Sequence, residues 1–385
     1  MTDRIGAPGT GISRREFPAA SGGVGTAVLA GCTAIGGSSS NPNLGDPPAN
    51  VSGDDGKLPY TSPPEVVQVD EQGGEVTLGA RPCRHAVHPE ETMGGPIELP
   101  QVWAFSTDAG KPSVPGPILR TTEGNDMEVT LDNTNGMRPH TVHFHGSQTT
   151  WENGGVPTTT GIQVPAGEKH TYEIPANVPG THLYHCHYQT HRHIGMGMYG
   201  ILRIDPEGYE PADKEYFMTV KKWDSRLNRM MAGEDAQYSP RQRDPDVFTI
   251  NGKSAPRSFH PEKGSPIIVD RGDTVRVHLV NGGYMAHPLH THNYRFEVVE
   301  SDGGVVPKVA RYDQDVANIA PAERCTIEFT ADADSGIYLM HCHRVHHVMN
   351  GDVCPGGMLG ATVYREAMDS EIFGQLMRYA GYDGA

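Results

Sequence analysis

The sequence predicts an all-β protein built from two tandem β-sandwich domains. Glycine (47) and proline (31) are plentiful among the 385 residues and interrupt the chain at short intervals. Between them lie short runs in which apolar and polar residues alternate, such as residues 75–78 and 127–131. Such alternation between turn residues is typical of strands. The same order of signals then returns in a second copy, which predicts two domains.

Histidine and cysteine motifs define the repeat. Three histidines of the first copy recur in the second, each 147 residues later: His140, His143 and His145 match His287, His290 and His292. A His-Cys-His run also occurs once in each copy, at residues 185–187 and 341–343. Two separate motifs repeated in the same order indicate a duplicated domain.

The chain begins with features of an export signal at residues 1–36. Arg14 and Arg15 lie in a motif that resembles the twin-arginine consensus, and a mildly apolar stretch follows at 19–31. That stretch is too short and too weakly apolar to span a membrane. Cys32 ends a lipobox-like motif, which favours a lipid anchor over a cleaved soluble leader. Both alternatives predict twin-arginine export to an extracytoplasmic location. The lipid anchor would place the protein on the outer face of the cytoplasmic membrane.

The rest of the chain is divided into a linker, two domains and a C-terminal tail. Residues 37–62 are rich in Ser, Asn, Pro, Gly and Asp, which predicts a flexible linker. The first domain is expected at 63–206 and the second at 207–365. Residues 366–385 form a tail in which a short amphipathic helix would place four side chains on one side: Phe373, Leu376, Met377 and Tyr379.

Charge and cysteine content exclude two classes of protein. The net charge of −16 disfavours nucleic acid as a partner. Six cysteines are too few for a disulfide scaffold in a chain of this length, although a disulfide between two of Cys83, Cys325 and Cys354 stays open. Six histidines lack motif spacing and are expected at surface or loop positions: His85, His88, His170, His182, His260 and His278.

A His-Cys-His run on a β-strand can serve two metal sites at once. Successive side chains of a strand point to opposite faces, so Cys186 faces one way while His185 and His187 face the other. A thiolate on one face and two imidazoles on the other would then be joined by a short stretch of backbone.

Around Cys186 the sequence offers the ligands of an electron-transfer copper site, which are two imidazoles, a thiolate and a weak axial thioether. His140 and Cys186 supply two of them. The following loop holds two equally spaced pairs, His191 with Met196 and His193 with Met198. The second pair is preferred because Met198 precedes an apolar strand, as Met358 does in the second copy, and the first pair remains an alternative.

The second copy offers an equivalent set of ligands: His287, Cys342, His347 and Met358. Its loop is longer, and His346 competes with His347. A disulfide between Cys342 and Cys354 would abolish the site, so two outcomes stay open here.

Eight further histidines form two equivalent groups of four, which are His143, His145, His185 and His187, and His290, His292, His341 and His343. Buried unpaired imidazoles are costly, which argues against a packing role for all eight. Four imidazoles can hold one enclosed metal, whereas eight that face each other can hold three and leave positions open for a small ligand. These eight are the candidate catalytic residues.

The motifs His-X-His-Gly (143–146), His-Pro-X-His-X-His (287–292) and the two His-Cys-His runs resemble those of the multicopper oxidases, and the chain is similar to their two-domain, laccase-like branch. The resemblance covers nearly all of residues 65–365. It implies two cupredoxin-like Greek-key sandwiches. It also implies type 1 copper at the Cys186 site and at the Cys342 site, where the longer loop departs from the usual spacing. Type 2 copper is implied at His143 and His290, and a binuclear type 3 copper at the other six: His145, His185, His187, His292, His341 and His343.

By the same resemblance the protein is expected to be a homotrimer whose trinuclear cluster lies between the first domain of one subunit and the second domain of the next. The expected activity is one-electron oxidation of a small reducing substrate at type 1 copper, coupled to four-electron reduction of dioxygen to water. Phenols and aromatic amines are the default donors, and metal ions are the alternative.

Two rival functions remain. Copper nitrite reductases resemble this chain at His140, His145, His185 and Cys186, but they carry an acidic residue where this chain has His143, and they lack the second His-Cys-His. A non-enzymatic blue-copper electron carrier needs a thiolate site but not eight additional imidazoles. The two differences from nitrite reductases and the eight additional imidazoles favour the oxidase.

Overall fold

The computed structural model describes residues 58–88, 94–107 and 111–380, and these form the predicted all-β protein. The predicted export signal with Arg14, Arg15 and Cys32 lies outside the described residues, as does most of the predicted linker, so both stay predictions. No helix in the described part of the chain is long and apolar enough to cross a membrane.

The first domain is a sandwich of two sheets. Its strands, in chain order, are β1 (Val66–Gln68), β2 (Glu75–His88), β3 (Ile97–Ser106), β4 (Ile118–Thr122), β5 (Met127–Asp132), β6 (His143–Phe144), β7 (Lys169–Ile174), β8 (Gly180–His185) and β9 (Tyr199–Asp205). One sheet has the order β1-β4-β9-β8-β6 and the other the order β3-β2-β5-β7. Leu119 and Tyr184 of the first sheet and Leu78 and Val129 of the second belong to one buried cluster, so the core lies between the sheets.

The second domain repeats this arrangement. Its strands are β10 (Lys214–Trp223), β11 (Val247–Ile250), β12 (Ile267–Val269), β13 (Thr274–Asn281), β14 (His287–Thr291), β15 (Phe296–Ser301), β16 (Gly304–Val305), β17 (Asp313–Gln314), β18 (Val316–Ile319), β19 (Arg324–Thr330), β20 (Ile337–Cys342) and β21 (Leu359–Tyr364). One sheet has the order β11-β10-β13-β19-β15-β16, with β17 paired to β15, and the other the order β12-β21-β20-β14-β18. The predicted boundary at residue 206 falls between β9 and β10.

The helices are short. The α-helices are α1 (Pro157–Thr160), α2 (Thr190–His193), α3 (Ser225–Met231) and α4 (Glu371–Tyr379). The 3-10 segments are Asp70–Gln72, Glu152–Gly154, Arg257–Phe259, Lys308–Ala310, Val345–Val348 and Arg365–Asp369. Ser370 caps α4 by accepting from the backbone N–H of Phe373. Phe373 and Met377 are buried against β21 and Leu376 packs beside them, but Tyr379 is exposed and does not share that face as predicted.

The two sandwiches are joined by a buried polar network. Arg203 on β9 is fully buried, and its guanidinium donates to Glu300 on β15 at 2.8 Å and to Asp205 at 2.7 Å. Thr181 of β8 lies 2.8 Å from the Nδ1 atom of His278, and Thr326 donates to Glu300 at 2.8 Å. Because each charged group has a partner of opposite charge, the interface tolerates ions out of contact with water.

The expectation of surface or loop positions is wrong for four of the six histidines without motif spacing, because His85, His88, His182 and His278 are buried on strands. His260 is buried as well, but it lies in a loop after the segment Arg257–Phe259. Their rings make internal contacts instead: the Nε2 atom of His85 lies 2.6 Å from the carbonyl of Gly252, and that of His182 lies 2.8 Å from the carbonyl of Val178. His170 is partly exposed. The disulfide left open among Cys83, Cys325 and Cys354 is not formed, since every cysteine of the described residues is a free thiol.

Replacing Glu300 with glutamine should lower the free energy of unfolding by about 3 kcal/mol, because it removes one of the two carboxylates that neutralise the buried Arg203 guanidinium. Burial alone would raise the pKa of Glu300, but the charge of Arg203 lowers it below its ordinary value. The stabilisation is therefore present above the unfolded-state pKa and is lost as the pH falls through the folded-state pKa. Urea unfolding at neutral pH measures the difference. Glu297→Gln, on the same strand but 41% exposed, is the control and should change stability by less than about 0.5 kcal/mol; equal effects of the two changes would contradict the role of the pair.

Candidate metal centres

The run 185–187 begins at the last residue of β8, which lies next to the edge strand of its sheet. β8 pairs with β9 on one side and with β6 on the other, which sets His143 opposite His185. Cys186 is fully buried in the core of the sandwich, whereas the rings of His185 and His187 both contact the ring of His143. The thiol and the two imidazoles thus face opposite ways, as strand geometry requires.

The thiol of Cys186 lies in a buried group of donors, the Cys186 cluster, made of His140, Cys186 and His193. Its Sγ atom is 3.9 Å from Nδ1 of His140 and 3.1 Å from Nδ1 of His193, and the two Nδ1 atoms are 3.1 Å apart. The backbone N–H of Thr141 donates to the sulfur at 3.3 Å and so helps to hold its orientation. Three donor atoms therefore converge on one point.

Of the two histidines offered by the loop, the structure brings His193 to the cluster. α2 buries His193 completely and leaves His191 exposed. Met198 is fully buried, and its carbonyl accepts from the backbone N–H of Cys186 at 3.1 Å. The sulfur of Met196 instead accepts from Nδ2 of Asn228 at 3.7 Å. His193 is therefore the loop histidine placed to act as a ligand, and the choice of Met198 as the axial ligand stays a prediction.

This placement predicts different effects of two neighbouring alanine substitutions. His193→Ala should weaken or remove the thiolate-to-copper absorption band near roughly 600 nm, because it deletes a donor atom. His191→Ala is the matched control and should leave the band intact, because its ring lies outside the cluster. Visible spectra of the copper-loaded variants measure this. Loss of the band in His191→Ala together with its retention in His193→Ala would reverse the ligand choice.

The second domain holds an equivalent group, the Cys342 cluster, made of His287, Cys342 and His347. The Sγ atom is 3.7 Å from Nδ1 of His287 and 3.4 Å from Nδ1 of His347, and the two nitrogens are 3.2 Å apart. Met358 is fully buried in the same core, and its carbonyl accepts from the backbone N–H of Cys342 at 3.2 Å. The ring of Phe248 stacks on His347 with centroids 4.0 Å apart.

Two alternatives for this second cluster are not realised. His346 is exposed, whereas His347 is buried beside the thiol. Cys354 is exposed and free, and Cys342 is buried and free, so the disulfide that would have abolished the site is absent. The long loop turns away from the core and leaves Cys342 available to its two imidazoles.

The four other histidines of the first domain form the first histidine quartet: His143, His145, His185 and His187. Their ring centroids lie 5.1–5.6 Å apart in contacting pairs, and the Nε2 atoms of His145 and His185 are 3.0 Å apart. Nδ1 of His143 lies 2.7 Å from the carbonyl of Gly154, and Nδ1 of His185 lies 3.0 Å from the carbonyl of Cys186. Donation from Nδ1 to these carbonyls leaves the Nε2 lone pairs free for a metal.

The second histidine quartet, made of His290, His292, His341 and His343, has the same internal arrangement. Centroid distances in contacting pairs are 5.1–5.7 Å, and the Nε2 atoms of His292 and His341 are 3.1 Å apart. Nδ1 of His290 lies 2.9 Å from the carbonyl of Asp315, and Nδ1 of His341 lies 3.1 Å from the carbonyl of Cys342. Each domain therefore orients its imidazoles by the same kind of backbone contact.

The two quartets stay apart within one chain. No ring contact or hydrogen bond between described residues joins a member of the first quartet to a member of the second. The first quartet lines a cavity of about 310 Å³ that also touches Asn281 and Gly282 of the second domain. The second quartet lies nearer the surface, with His292 and His343 exposed. The predicted meeting of all eight histidines is therefore not made by a single chain.

The protonation states of these donors suit metal binding. Burial and then the charge of Arg138 lower the pKa of His140 to about 3, and burial lowers that of His185 to about 3 and that of His347 to about 3, so these imidazoles are neutral near pH 7. Burial raises the pKa of the Cys186 thiol to about 11. A cation must displace that proton, and a soft ion that prefers sulfur and imidazole fits the donor set.

Comparison with known proteins agrees with these clusters. Two sequence models, both described as multicopper oxidase, match residues 109–208 and 234–354. The chain belongs to the multicopper oxidase family. The first match spans the first quartet and the Cys186 cluster, and the second spans the second quartet with His287, Cys342 and His347. This family member is thus a two-domain protein of cupredoxin type, and copper is the metal that its family implies.

Relatives of this family member include both oxidases and reductases. The blue copper oxidase of Nitrosomonas europaea has a similar structure, with a TM-score of 0.65 and 28% identity over 77% of this chain and 88% of that one. The copper-containing nitrite reductase of Neisseria meningitidis serogroup B is 26% identical over 300 residues, which are 76% of this chain and 70% of the reductase. A probable nitrite reductase-hydroxylamine oxidoreductase fusion protein of Kuenenia stuttgartiensis is 27% identical over 65% of this chain, which spans only 28% of that protein's length.

Proposed function

We propose that this protein is a laccase-like oxidase that couples one-electron oxidation of a small reducing substrate to four-electron reduction of dioxygen to water. The observation that carries the proposal is the presence of two complete histidine quartets of matching geometry, one per domain. His143 completes the first quartet with ring contacts to His145, His185 and His187. A reductase-like acidic residue at this position would provide no such imidazole.

The donor sets divide into three kinds of copper site. The Cys186 cluster with Met198, and the Cys342 cluster with Met358, would each hold type 1 copper. His143 and His290 would bind type 2 copper, and the other six histidines of the two quartets would bind the type 3 pair. Copper, when bound, supplies reversible one-electron chemistry and sites for dioxygen.

The protein orients the ligand side chains and links each thiol to its histidine quartet. Cys186 and its neighbours His185 and His187 are joined by adjacent peptide bonds, which gives the thiol and the first quartet a short covalent link. His341 and His343 flank Cys342 in the same way. Gly154 and Asp315 fix the imidazoles of His143 and His290 through their carbonyls. Burial of both thiols excludes water from the sites that receive electrons.

The separation of the quartets supports a homotrimer as part of this proposal. In a ring of subunits the first quartet of one chain can meet the second quartet of the next, which a head-to-tail interface allows. Exposed apolar side chains lie next to both quartets: Trp151 is 65% exposed at the start of the segment that carries Gly154, and Val345 is 66% exposed two residues after His343. Such neighbours suit a surface that becomes buried on assembly.

Nitrite reduction is the second candidate, because nitrite reductases are among the relatives. Nitrite reduction would use only some of the eight imidazoles in the two quartets. The second His-Cys-His and His143 both favour dioxygen as the acceptor, so nitrite reduction ranks below the oxidase.

One set of measurements on the loaded protein tests the proposal. We expect oxygen uptake on addition of a phenol, no reduction of nitrite, and about five copper ions per chain. Sedimentation should show a trimer, and dilution into monomers should abolish oxygen uptake. Nitrite reduction without oxygen uptake would overturn the assignment, and full oxidase activity in a monomer would overturn the shared site.

A further inference from the structure

Cationic side chains surround the Cys186 cluster although the chain as a whole carries a net charge of −16. Arg138 precedes His140 by two residues, and Arg192 lies between the two histidines of α2. The guanidinium carbon of Arg138 is 4.6 Å from the centroid of the Trp103 ring, and that ring is 4.6 Å from the ring of His193. Positive charge is therefore concentrated one side chain away from a donor of the cluster.

These two guanidinium groups have no acidic partner. The Nε atoms of both Arg138 and Arg192 are buried and lack hydrogen bonds, and no salt bridge between described residues includes either side chain. By contrast Arg120, Arg203 and Arg276 each hold a carboxylate at 2.6–2.8 Å. Arg138 and Arg192 lie close enough together for their charges to repel each other. An anion from outside the chain would satisfy both.

An aromatic side chain gives access to the cluster from this cationic region. His193 is fully buried and Trp103 is 2% exposed, so neither meets solvent. Tyr188 is partly exposed, and its ring centroid lies 5.4 Å from that of His193. A small molecule that rests on Tyr188 would be one ring away from His193 and beside Arg138.

We propose that the donor oxidised at the Cys186 cluster is a phenol that carries a carboxylate, held by Arg138 and Arg192 with its ring against Tyr188. The inference rests on the proposed oxidase function and selects among its donors. Guanidinium groups bind carboxylates through charge-assisted hydrogen bonds, and they repel metal cations, which disfavours metal ions as donors at this site. In each turnover step the phenol loses one electron to the protein and its phenolic proton to water, and it leaves as a phenoxyl radical.

Binding of a carboxylate that cannot be oxidised tests the site without turnover. We expect 4-methoxybenzoate to bind the copper-loaded protein, and uncharged 4-methoxybenzamide to bind at least about tenfold more weakly. Arg138→Gln with Arg192→Gln should reduce the affinity for the benzoate about tenfold. Arg271→Gln changes an exposed arginine three residues before β13; it is the control and should bind like wild type. Equal affinity for the acid and the amide, or no loss in the double variant, would overturn the proposal.

Reduction of the cluster provides a second, kinetic test. In a Cys342→Ser background, where Cys186 is the only thiolate ligand, anaerobic bleaching by 4-hydroxy-3-methoxycinnamate should slow as salt is added, whereas bleaching by its amide should not. The single variant Arg192→Gln, which leaves the stacking of Arg138 on Trp103 intact, should slow the acid severalfold and leave the amide unchanged. A rate with the acid that rises with salt would overturn the proposal. Acid-selective binding in a protein that consumes no oxygen would overturn the oxidase function while leaving this anion site standing.

Discussion

Replacing His143 with aspartate should reduce oxygen consumption at least about 100-fold while the protein keeps its blue colour. The imidazole of His143 contacts three other members of its quartet, and its Nδ1 atom meets the carbonyl of Gly154. A carboxylate cannot donate to that carbonyl, it is shorter, and it adds a negative charge where the quartet has neutral rings. The Cys186 cluster lies on the other face of the sheet and should still accept electrons from the donor.

An oxygen electrode and a visible spectrum measure both parts of this result. His170→Asp is the matched control, because His170 is partly exposed on β7 and contacts only Tyr172 among the aromatic rings of the described residues. It should consume oxygen at the wild-type rate. Normal oxygen consumption by His143→Asp would show that the first quartet is not the site of oxygen reduction.

Serine at Cys186 should remove about half of the absorbance near roughly 600 nm, and serine at Cys342 should remove the other half. Each thiol is fully buried with two imidazole nitrogens within 3.9 Å, and the two clusters are separate donor groups among the described residues. The two bands should therefore disappear independently, and the double variant should be colourless. Copper analysis should show the loss of about one ion for each cysteine replaced.

Cys325→Ser is the control for this pair. The Cys325 thiol is also buried, but it belongs to none of the donor groups among the described residues, so its replacement should leave the absorbance unchanged. Retention of the full band in Cys342→Ser would mean that the second domain holds no blue copper. In that case copper analysis should find one ion fewer per chain than expected in the wild-type protein as well.

Spacing in the sequence could identify the thiols and the eight histidines, because a strand dictates which neighbours share a face. It could not separate His193 from His191, since both stand five residues before a methionine. The choice depends on α2, a single turn that buries one imidazole and exposes the other. Likewise the freedom of Cys342 depends on where the long loop carries Cys354, and that path is set by packing rather than by local pattern.

The wrong prediction of surface or loop positions for some histidines has a different cause. His182 and His278 lie on strands at the junction of the two sandwiches, where Gly303 lies against the ring of His182 and Thr181 contacts His278, so the opposite domain contributes to their burial. Contacts between residues about a hundred positions apart leave no periodic mark in the sequence. In the structure every residue of Gly180–His185 is buried, so the side chain of His182 has no position that faces solvent. The lack of an acidic partner for Arg138 and Arg192 could not be predicted for a related reason, because it depends on residues that are distant in the sequence.

The buried pair of Arg203 and Glu300 also bears on how the two halves of this chain can evolve. Duplication implies that each half once folded as an independent unit. Separation of the halves would leave Glu300 without its guanidinium partner and would leave Arg203 with Asp205 as its remaining carboxylate. A change at position 203 is tolerated only with a compensating change at 300. The two positions should therefore vary together among descendants of this protein, even though they lie on different domains and far from any metal.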